Sequence, residues 1–135
     1  MPLLQGTKRI SPLDINKNVS IGVALPLDEV NMFKGTKTLK EQIKTNLINV
    51  LLTEPGERVN EPDFGVGLKK LLFEPNINTD DVNERINLQI DFYIPEISLI
   101  DTQVNFVDKE HLLYITITYS FNLDNSKDSI QLNFR

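Results

Sequence analysis

Residues 51–75 read LLTEPGERVNEPDFGVGLKKLLFEP, and this stretch determines how the rest of the chain is interpreted. Its two internal prolines, Pro55 and Pro62, fix the backbone φ angle. Its three glycines permit positive φ or close backbone approach, and Phe64 supplies a large apolar side chain that can anchor the segment in a core. The stretch therefore predicts a rigid connector between helices.

Upstream of this connector, the sequence predicts a helix. Thr38 and Glu41 have the spacing of a capping box, in which each side chain accepts a hydrogen bond from an otherwise unpaired amide. An apolar stripe at helical spacing then continues to about residue 52, formed by Leu39, Ile43, Leu47, Val50 and Leu51. Pro55 and Gly56 end it.

Downstream, two further helices are predicted. The first is brief, covers residues 67–73 and is ended by Pro75. The second starts after Thr79, where Asp80 and Asp81 interact favourably with the positive end of the helix dipole. Pro95 terminates it. Its predicted buried face consists of Val82, Ile86, Ile90 (or Gln89) and Tyr93.

After Pro95 the apolar period changes from helical spacing to strict alternation, which indicates strands. The residues predicted to face the core are Ile100, Thr102, Val104 and Phe106, then Leu113, Ile115, Ile117, Tyr119 and Phe121, then Ile130, Leu132 and Phe134. Near the N-terminus, alternation over residues 19–25 and an extended piece at 30–33 suggest short strands. The predicted fold class is α+β: short N-terminal strands, about three helices, then a C-terminal antiparallel three-stranded meander packed on the helices.

Length and composition limit the function classes. The 135 residues fit a single domain, with residues 1–13 as an extended N-terminal arm. The chain lacks cysteine and carries a net charge of −5, which argues against thiol chemistry and against nucleic-acid binding. Its apolar runs are too short for a membrane span, and Gly65-Val66-Gly67 lacks the rest of a phosphate-binding loop. We expect no cofactor, no nucleic acid and no membrane partner.

The connector also contains the residues that an enzyme would use. Glu54, Glu57, Glu61 and Asp63 lie close together in sequence, and a lysozyme-type glycoside hydrolase using Glu54 and Glu57 is one alternative. Such an enzyme needs an acid in an apolar pocket that raises its pKa, and the neighbouring residues are mostly Pro, Gly and charged side chains. The sequence favours a protein that is not an enzyme. A small soluble adaptor protein is the other alternative.

Arg58 lies among these acidic side chains and has two interpretations of similar weight. It can form a structural ion pair with Glu57, Glu61 or a carboxylate of the third helix. It can also make a bidentate contact to a neighbouring protein.

The connector resembles a known family in four separated segments: Leu-Leu-Thr, Gly-x-Arg, Pro-Asp-Phe-Gly with a following Gly-Leu pair, and Leu-Phe-Glu-Pro. This is the baseplate wedge family of contractile-tailed bacteriophages, a lysozyme-like baseplate family that also occurs in contractile injection systems. The resemblance implies a virion protein of the tail baseplate, assembled in the host cytoplasm and without an enzymatic step. It implies docking on other wedge subunits and their core bundle, initiation of the tail sheath, and tube or hub proteins as further candidate neighbours.

The resemblance also suggests interaction residues, namely Arg58, Pro62, Phe64, Gly65, Phe73, Glu74 and Pro95. Family members place Glu-Pro-Arg at the end of the third helix for docking onto the wedge bundle. This chain has Ile94-Pro95-Glu96 there, so only the proline is carried over.

The last predicted strand, residues 129–134, provides a route to assembly. If it or its neighbour lies at the border of the sheet, the unpaired amides and carbonyls there can template a strand of the sheath protein. The alternative is an edge that Lys127, Asp128 or Arg135 blocks to other strands. We expect main-chain bonds to give register, and pockets between Ile130, Leu132 and Phe134 to give selectivity.

Overall fold

The computed structural model describes residues 18–25, 27, 29–30, 34–107 and 109–135, so the predicted N-terminal arm lies outside the described residues. The elements in chain order are β1 (Gly22–Val23), β2 (Gly35–Thr36), α1 (Leu39–Leu52), a 3-10 helix (Leu68–Phe73), α2 (Thr79–Tyr93), β3 (Ile97–Val107), β4 (Leu112–Phe121) and β5 (Lys127–Phe134). This order confirms the predicted α+β class with its C-terminal meander.

The N-terminal strands are shorter than predicted. Only Gly22–Val23 of residues 19–25 is a strand, and it pairs antiparallel with Gly35–Thr36. The extended piece predicted at 30–33 falls largely outside the described residues. A Cβ atom at Gly35 would lie 2.2 Å from Ser20 Oγ, so this pairing depends on the absence of a side chain, which hydrophobic alternation does not reveal.

The Thr38 half of the predicted capping box of α1 is confirmed, whereas Glu41 accepts from the amide of Lys37 and not from that of Thr38. Thr38 Oγ1 accepts from Glu41 N at 3.2 Å, and Glu41 Oε2 accepts from Lys37 N at 2.9 Å. Thr53 closes the other end, because its amide and its hydroxyl both donate to the Asn49 carbonyl. The helix buries its predicted stripe except for Leu39, which is partly buried, and it also buries Thr45 and Ile48.

The two later helices also occupy their predicted places. The brief one is a 3-10 helix, entered through Gly67 at φ 68°. The N-cap of α2 is Asn78, one residue earlier than predicted, and its side chain accepts from Asp80 N. Val82, Ile86 and Ile90 are buried, while Tyr93 is half-buried.

The sheet has the order β3-β4-β5 with both pairs antiparallel. The central strand β4 buries every second side chain, as predicted, from Leu113 to Phe121. β5 begins at Lys127, two residues before the predicted start. The buried face of the sheet joins the inner faces of α1 and α2 in one hydrophobic core.

Two of the four core positions predicted for β3 are wrong, Ile100 and Phe106. Ile100 is 47 % exposed, and the core-facing side chains before it are Ile97 and Leu99. The register shifts between Leu99 and Asp101, which is a β-bulge at Ile100. An extra residue moves all earlier side chains to the opposite face relative to a simple alternation. Phe106 is also exposed, at 43 %, near the open end of the strand.

A polar contact joins α1 to the turn between β4 and β5. Lys40 Nζ pairs with Asp124 Oδ2 at 2.5 Å and donates to Ser126 Oγ at 2.8 Å. The hydrogen bonds from Lys40 and Ser126 hold the pKa of Asp124 well below its usual range. The contact fixes the β4–β5 turn against the start of α1.

Candidate docking surfaces

Backbone hydrogen bonds fold the middle of the connector, residues 53–67, back on itself. Gly56 N donates to the Pro62 carbonyl at 2.8 Å, and Phe64 N donates to the Glu61 carbonyl at 3.1 Å. Gly56 has φ 94°, which an L side chain rarely adopts. These contacts support the rigid connector that its prolines and glycines predict.

Phe64 and Gly65 fasten the connector to the helices. Phe64 is 5 % exposed, and its ring meets the Tyr93 ring edge-on at 4.7 Å. Gly65 has φ 107°, and a Cβ atom there would lie 2.2 Å from the Thr53 carbonyl oxygen. Both residues were predicted as interaction residues, but they are buried, so they can support a docking surface without forming its exposed part.

Gln89 of α2 holds the same turn. Its Oε1 accepts from Gly65 N at 2.8 Å, and its Nε2 donates to the Asp63 carbonyl at 2.9 Å. Sequence reasoning included Gln89 only as an alternative to Ile90 on the buried face. A glutamine within the apolar stripe of an amphipathic helix indicates a polar contact on the inner face of the helix. This is the feature of the sequence that identifies Gln89.

Arg58 forms a structural ion pair with Glu61, as the first of its two interpretations predicts. Its Nη1 lies 3.3 Å from Glu61 Oε2, and its guanidinium lies 3.7 Å from the centre of the Phe64 ring. The side chain is still 42 % exposed. It borders an open groove of about 250 Å³ whose other lining residues include Asn46, Asn49, Tyr93 and Ile94.

The connector carboxylates have local partners. Glu57 Oε2 accepts from Glu54 N at 2.9 Å, and Glu54 Oε2 lies 3.5 Å from Lys70 Nζ. Glu57 and Glu61 are exposed. Within the described ranges, no group of three or more metal-ligating side chains could hold an ion.

The remaining predicted interaction residues of this region lie at the surface. Phe73 is 82 % exposed, and Pro62, Glu74 and Pro95 are exposed as well. Asn122 fixes the corner at Pro95, because its side-chain amide donates to the Pro95 carbonyl and its backbone amide donates to the Glu96 carbonyl. The end of α2 is thus tied to the end of β4.

β5 is an edge strand of the three-stranded sheet, and the register shows which of its backbone groups are open. Phe121 N donates to the Ser126 carbonyl at 2.8 Å, and the β4–β5 register continues without a shift to Leu113 opposite Phe134. In an antiparallel pair, bonded residues recur at every second position. The residues that bond to β4 are therefore Asp128, Ile130, Leu132 and Phe134, and those whose backbone faces away are Lys127, Ser129, Gln131 and Asn133.

The contact of one amide supports this assignment. Ser129 N donates at 2.8 Å to Asp128 Oδ1, so it is not engaged in the ladder with β4. The Asp128 carboxylate therefore occupies the Ser129 amide, which is then not available to an added strand. The open donors toward the end of the strand are those of Gln131 and Asn133.

The apolar side chains of β5 face the core, as the alternation predicts, and they are therefore not available to form pockets for a partner. Ile130 and Phe134 are 4 % and 8 % exposed, and Leu132 packs against the core from a partly buried position. The proposed pockets between them are filled by the chain itself. These three residues hold the edge in place, while selectivity for an added strand would depend on the outward-facing positions.

The opposite edge, β3, is less regular. The bulge at Ile100 interrupts its register, whereas β5 pairs without a shift over its whole length. A bulge bends and twists an edge, which disfavours pairing with another strand.

Among helices in the described part of the chain, none has the length and apolar character to cross a membrane. Residues 37–126, which include α1, the connector, α2 and most of the sheet, match the family model described as baseplate wedge protein gp25. The chain belongs to the baseplate wedge protein gp25 family. This baseplate wedge protein is accordingly a structural baseplate component.

Individual relatives agree with this assignment. The baseplate wedge protein gp25 of Enterobacteria phage T4 is 27 % identical over 125 residues, covering 91 % of this chain and 83 % of the relative. A Geobacter sulfurreducens crystal structure described as a candidate tail lysozyme matches with a TM-score of 0.62 and 24 % identity, over 75 % of this chain and 94 % of that one. A chain of the anti-feeding prophage baseplate matches with a TM-score of 0.50 and 20 % identity, over 83 % and 82 %. At these identities the two structures show the fold alone.

Proposed function

We propose that this wedge protein docks on the other wedge subunits of a contractile tail baseplate and initiates the sheath by offering β5 as a template strand. The observation that carries the proposal is the open backbone of β5 at Gln131 and Asn133, on an edge whose register is regular. An added strand would pair there through main-chain hydrogen bonds. The partner in this step would be the sheath protein.

The packing and pairing of β5 support its use as a template. Ile130 and Phe134 bury their side chains in the core, and every residue from Lys127 to Phe134 has a partner on β4. An edge that is ordered before binding loses little conformational freedom when a strand is added, which favours association.

The connector supports the wedge contact. Its internal hydrogen bonds and the buried Phe64 hold Arg58 and Pro62 at the surface. Phe73, Glu74 and Pro95 are exposed as well. We assign these residues to contacts with wedge subunits and their core bundle, with tube or hub proteins as further candidate neighbours, in a virion assembled in the host cytoplasm.

We further propose that the chain catalyses no reaction. The carboxylates of the predicted alternative, Glu54 and Glu57, lie in a polar turn and contact a lysine and a backbone amide. A glycosidase acid needs an apolar environment that keeps it protonated, and this turn does not provide one.

Substitution of single residues in β5 tests the template role more sharply than its deletion, because deletion would remove Ile130 and Phe134 from the core. Gln131→Pro removes an outward-facing amide without removing a β4–β5 hydrogen bond, and proline is tolerated in edge strands. We expect Gln131→Pro chains to fold and enter baseplates that then fail to polymerise sheath, as scored by electron microscopy.

The matched control is Gln131→Ala, which changes the same side chain and keeps the amide. Sheath growth should be normal with this variant. Normal sheath growth on Gln131→Pro baseplates would overturn the proposal.

A further inference from the structure

The outer face of α2 carries two large apolar side chains that contribute little to the core. Leu88 and Phe92 are 63 % and 78 % exposed, whereas Ile86 and Ile90 are buried. The Phe92 ring is oriented by an edge-on contact with Tyr93 at 4.8 Å. Residues four apart on a helix lie one above the other, so Leu88 and Phe92 form one continuous apolar strip.

This strip belongs to a longer stripe with the spacing of a helix–helix interface. Asp81, Arg85, Leu88 and Phe92 follow one another at intervals of four, three and four, and all four are exposed. This is the spacing of the contact positions of a heptad repeat. At 3.6 residues per turn the four lie within a sector of about 60°, turned away from Ile86, and extend over about 16 Å. We call these four residues the α2 outer seam.

The charge around the seam indicates what fits against it. α2 carries four acidic side chains and one basic one, all exposed: Asp80, Asp81, Glu84, Asp91 and Arg85. A second copy of the chain packed on the same seam would bring two acidic helices together. A helix with lysine or arginine beside its apolar stripe would instead place opposite charges at the rim of the contact.

We infer that the α2 outer seam packs against an amphipathic helix of another protein, whose apolar stripe is flanked by basic side chains. The inference rests on the proposed docking in a baseplate wedge and specifies the chemistry of one partner. It is independent of the template role of β5.

Two synthetic helical peptides of equal length serve as probes. Both carry leucine at the two heptad contact positions, and their flanking positions are all lysine in one peptide and all glutamate in the other. Fluorescence anisotropy with the full chain at low salt should show binding of the lysine peptide and at least roughly tenfold weaker binding of the glutamate peptide. Leu88→Ser and Phe92→Ser should each weaken binding of the lysine peptide by roughly tenfold or more.

The matched control is Val59→Ser, because Val59 is an apolar side chain of the connector that is 95 % exposed. It should leave binding of the lysine peptide unchanged. Circular dichroism should show that all three variants remain folded, because the three side chains are mostly exposed.

Three outcomes would overturn the inference: no binding of the lysine peptide, equal binding of the two peptides, or binding that the seam substitutions do not weaken. Dimers of the chain that Phe92→Ser dissociates would overturn it as well, since the occupant would be a second copy. Gln131→Pro changes β5 and not α2, so the two proposals can fail separately. A sheath defect in Gln131→Pro together with failed peptide binding would reject the helix contact of the α2 outer seam and leave the template role of β5 standing.

Discussion

At the scale of single residues, all three glycines of the connector have positive φ, but Gly56 and Gly65 differ in their surroundings. Gly65 has φ 107° and faces the Thr53 carbonyl, while Gly56 has φ 94° and open space where a Cβ atom would be. Sequence reasoning predicted that glycines in this stretch would need positive φ or close approach. It did not show that Gly65 needs both positive φ and close backbone approach. That requirement arises because the connector folds back against Thr53 at the end of α1.

Substitution of the two glycines separates these effects. Gly56→Ala should destabilise the fold by about 1 kcal/mol through backbone strain alone, whereas Gly65→Ala should destabilise it by about 2–4 kcal/mol because the contact with Thr53 is added. Urea denaturation of both variants measures the difference. Equal losses would show that the close approach at Gly65 is relieved by a small backbone shift.

The Lys40–Asp124 contact predicts a pH dependence. The pKa of Asp124 is lowered in the folded chain relative to an ordinary value of about 3.9, so its contribution to stability is present above about pH 5 and decreases as the pH falls below about 4. The difference in unfolding free energy between wild type and Asp124→Asn should therefore shrink on acidification.

Thermal or urea unfolding between about pH 6 and pH 2 measures this difference. The Lys40→Met variant provides the control, because removal of the lysine should flatten the dependence attributed to Asp124. A difference between wild type and Asp124→Asn that grows on acidification would contradict the assignment.

At the scale of elements, the helices follow from local signals, and the irregular parts do not. The ends of α1 are fixed by Thr38 and Glu41 on one side and by the proline and glycine after Thr53 on the other, so sequence reasoning placed this helix closely. The bulge at Ile100 has no comparable signal, since Ile100 continues an apolar alternation that looks unbroken. Its position depends on how β3 pairs with β4.

Gln89 provides the prediction at this scale, because it joins α2 to the connector with two hydrogen bonds. Gln89→Ala should leave the Gly65 amide and the Asp63 carbonyl without these partners and lower stability by about 1–3 kcal/mol. Hydrogen exchange should show faster exchange at Gly65. The exposed Gln131 has no such bonds to lose, and Gln131→Ala should leave both stability and Gly65 exchange unchanged.

At the scale of the whole molecule, family membership and fold class could be predicted because the connector motifs and the apolar periods are local properties. The open edge could be predicted only in part. The last strand or its neighbour was a candidate for the border, and the sheet order places the last strand there. Pockets between its side chains were expected to select a partner, but the fold buries Ile130 and Phe134 in the core. Which groups of a strand remain open follows from its register with β4, and this pairing is not local.

The central claim is that β5 templates the first sheath subunits, and a cryo-electron microscopy map of a baseplate carrying its first sheath ring tests it most directly. If β5 is the template, the map will show a sheath strand about 4.8 Å from β5, hydrogen-bonded to the backbone of Gln131 and Asn133. A map in which β5 remains unpaired while the first sheath ring contacts another surface of the chain would contradict it.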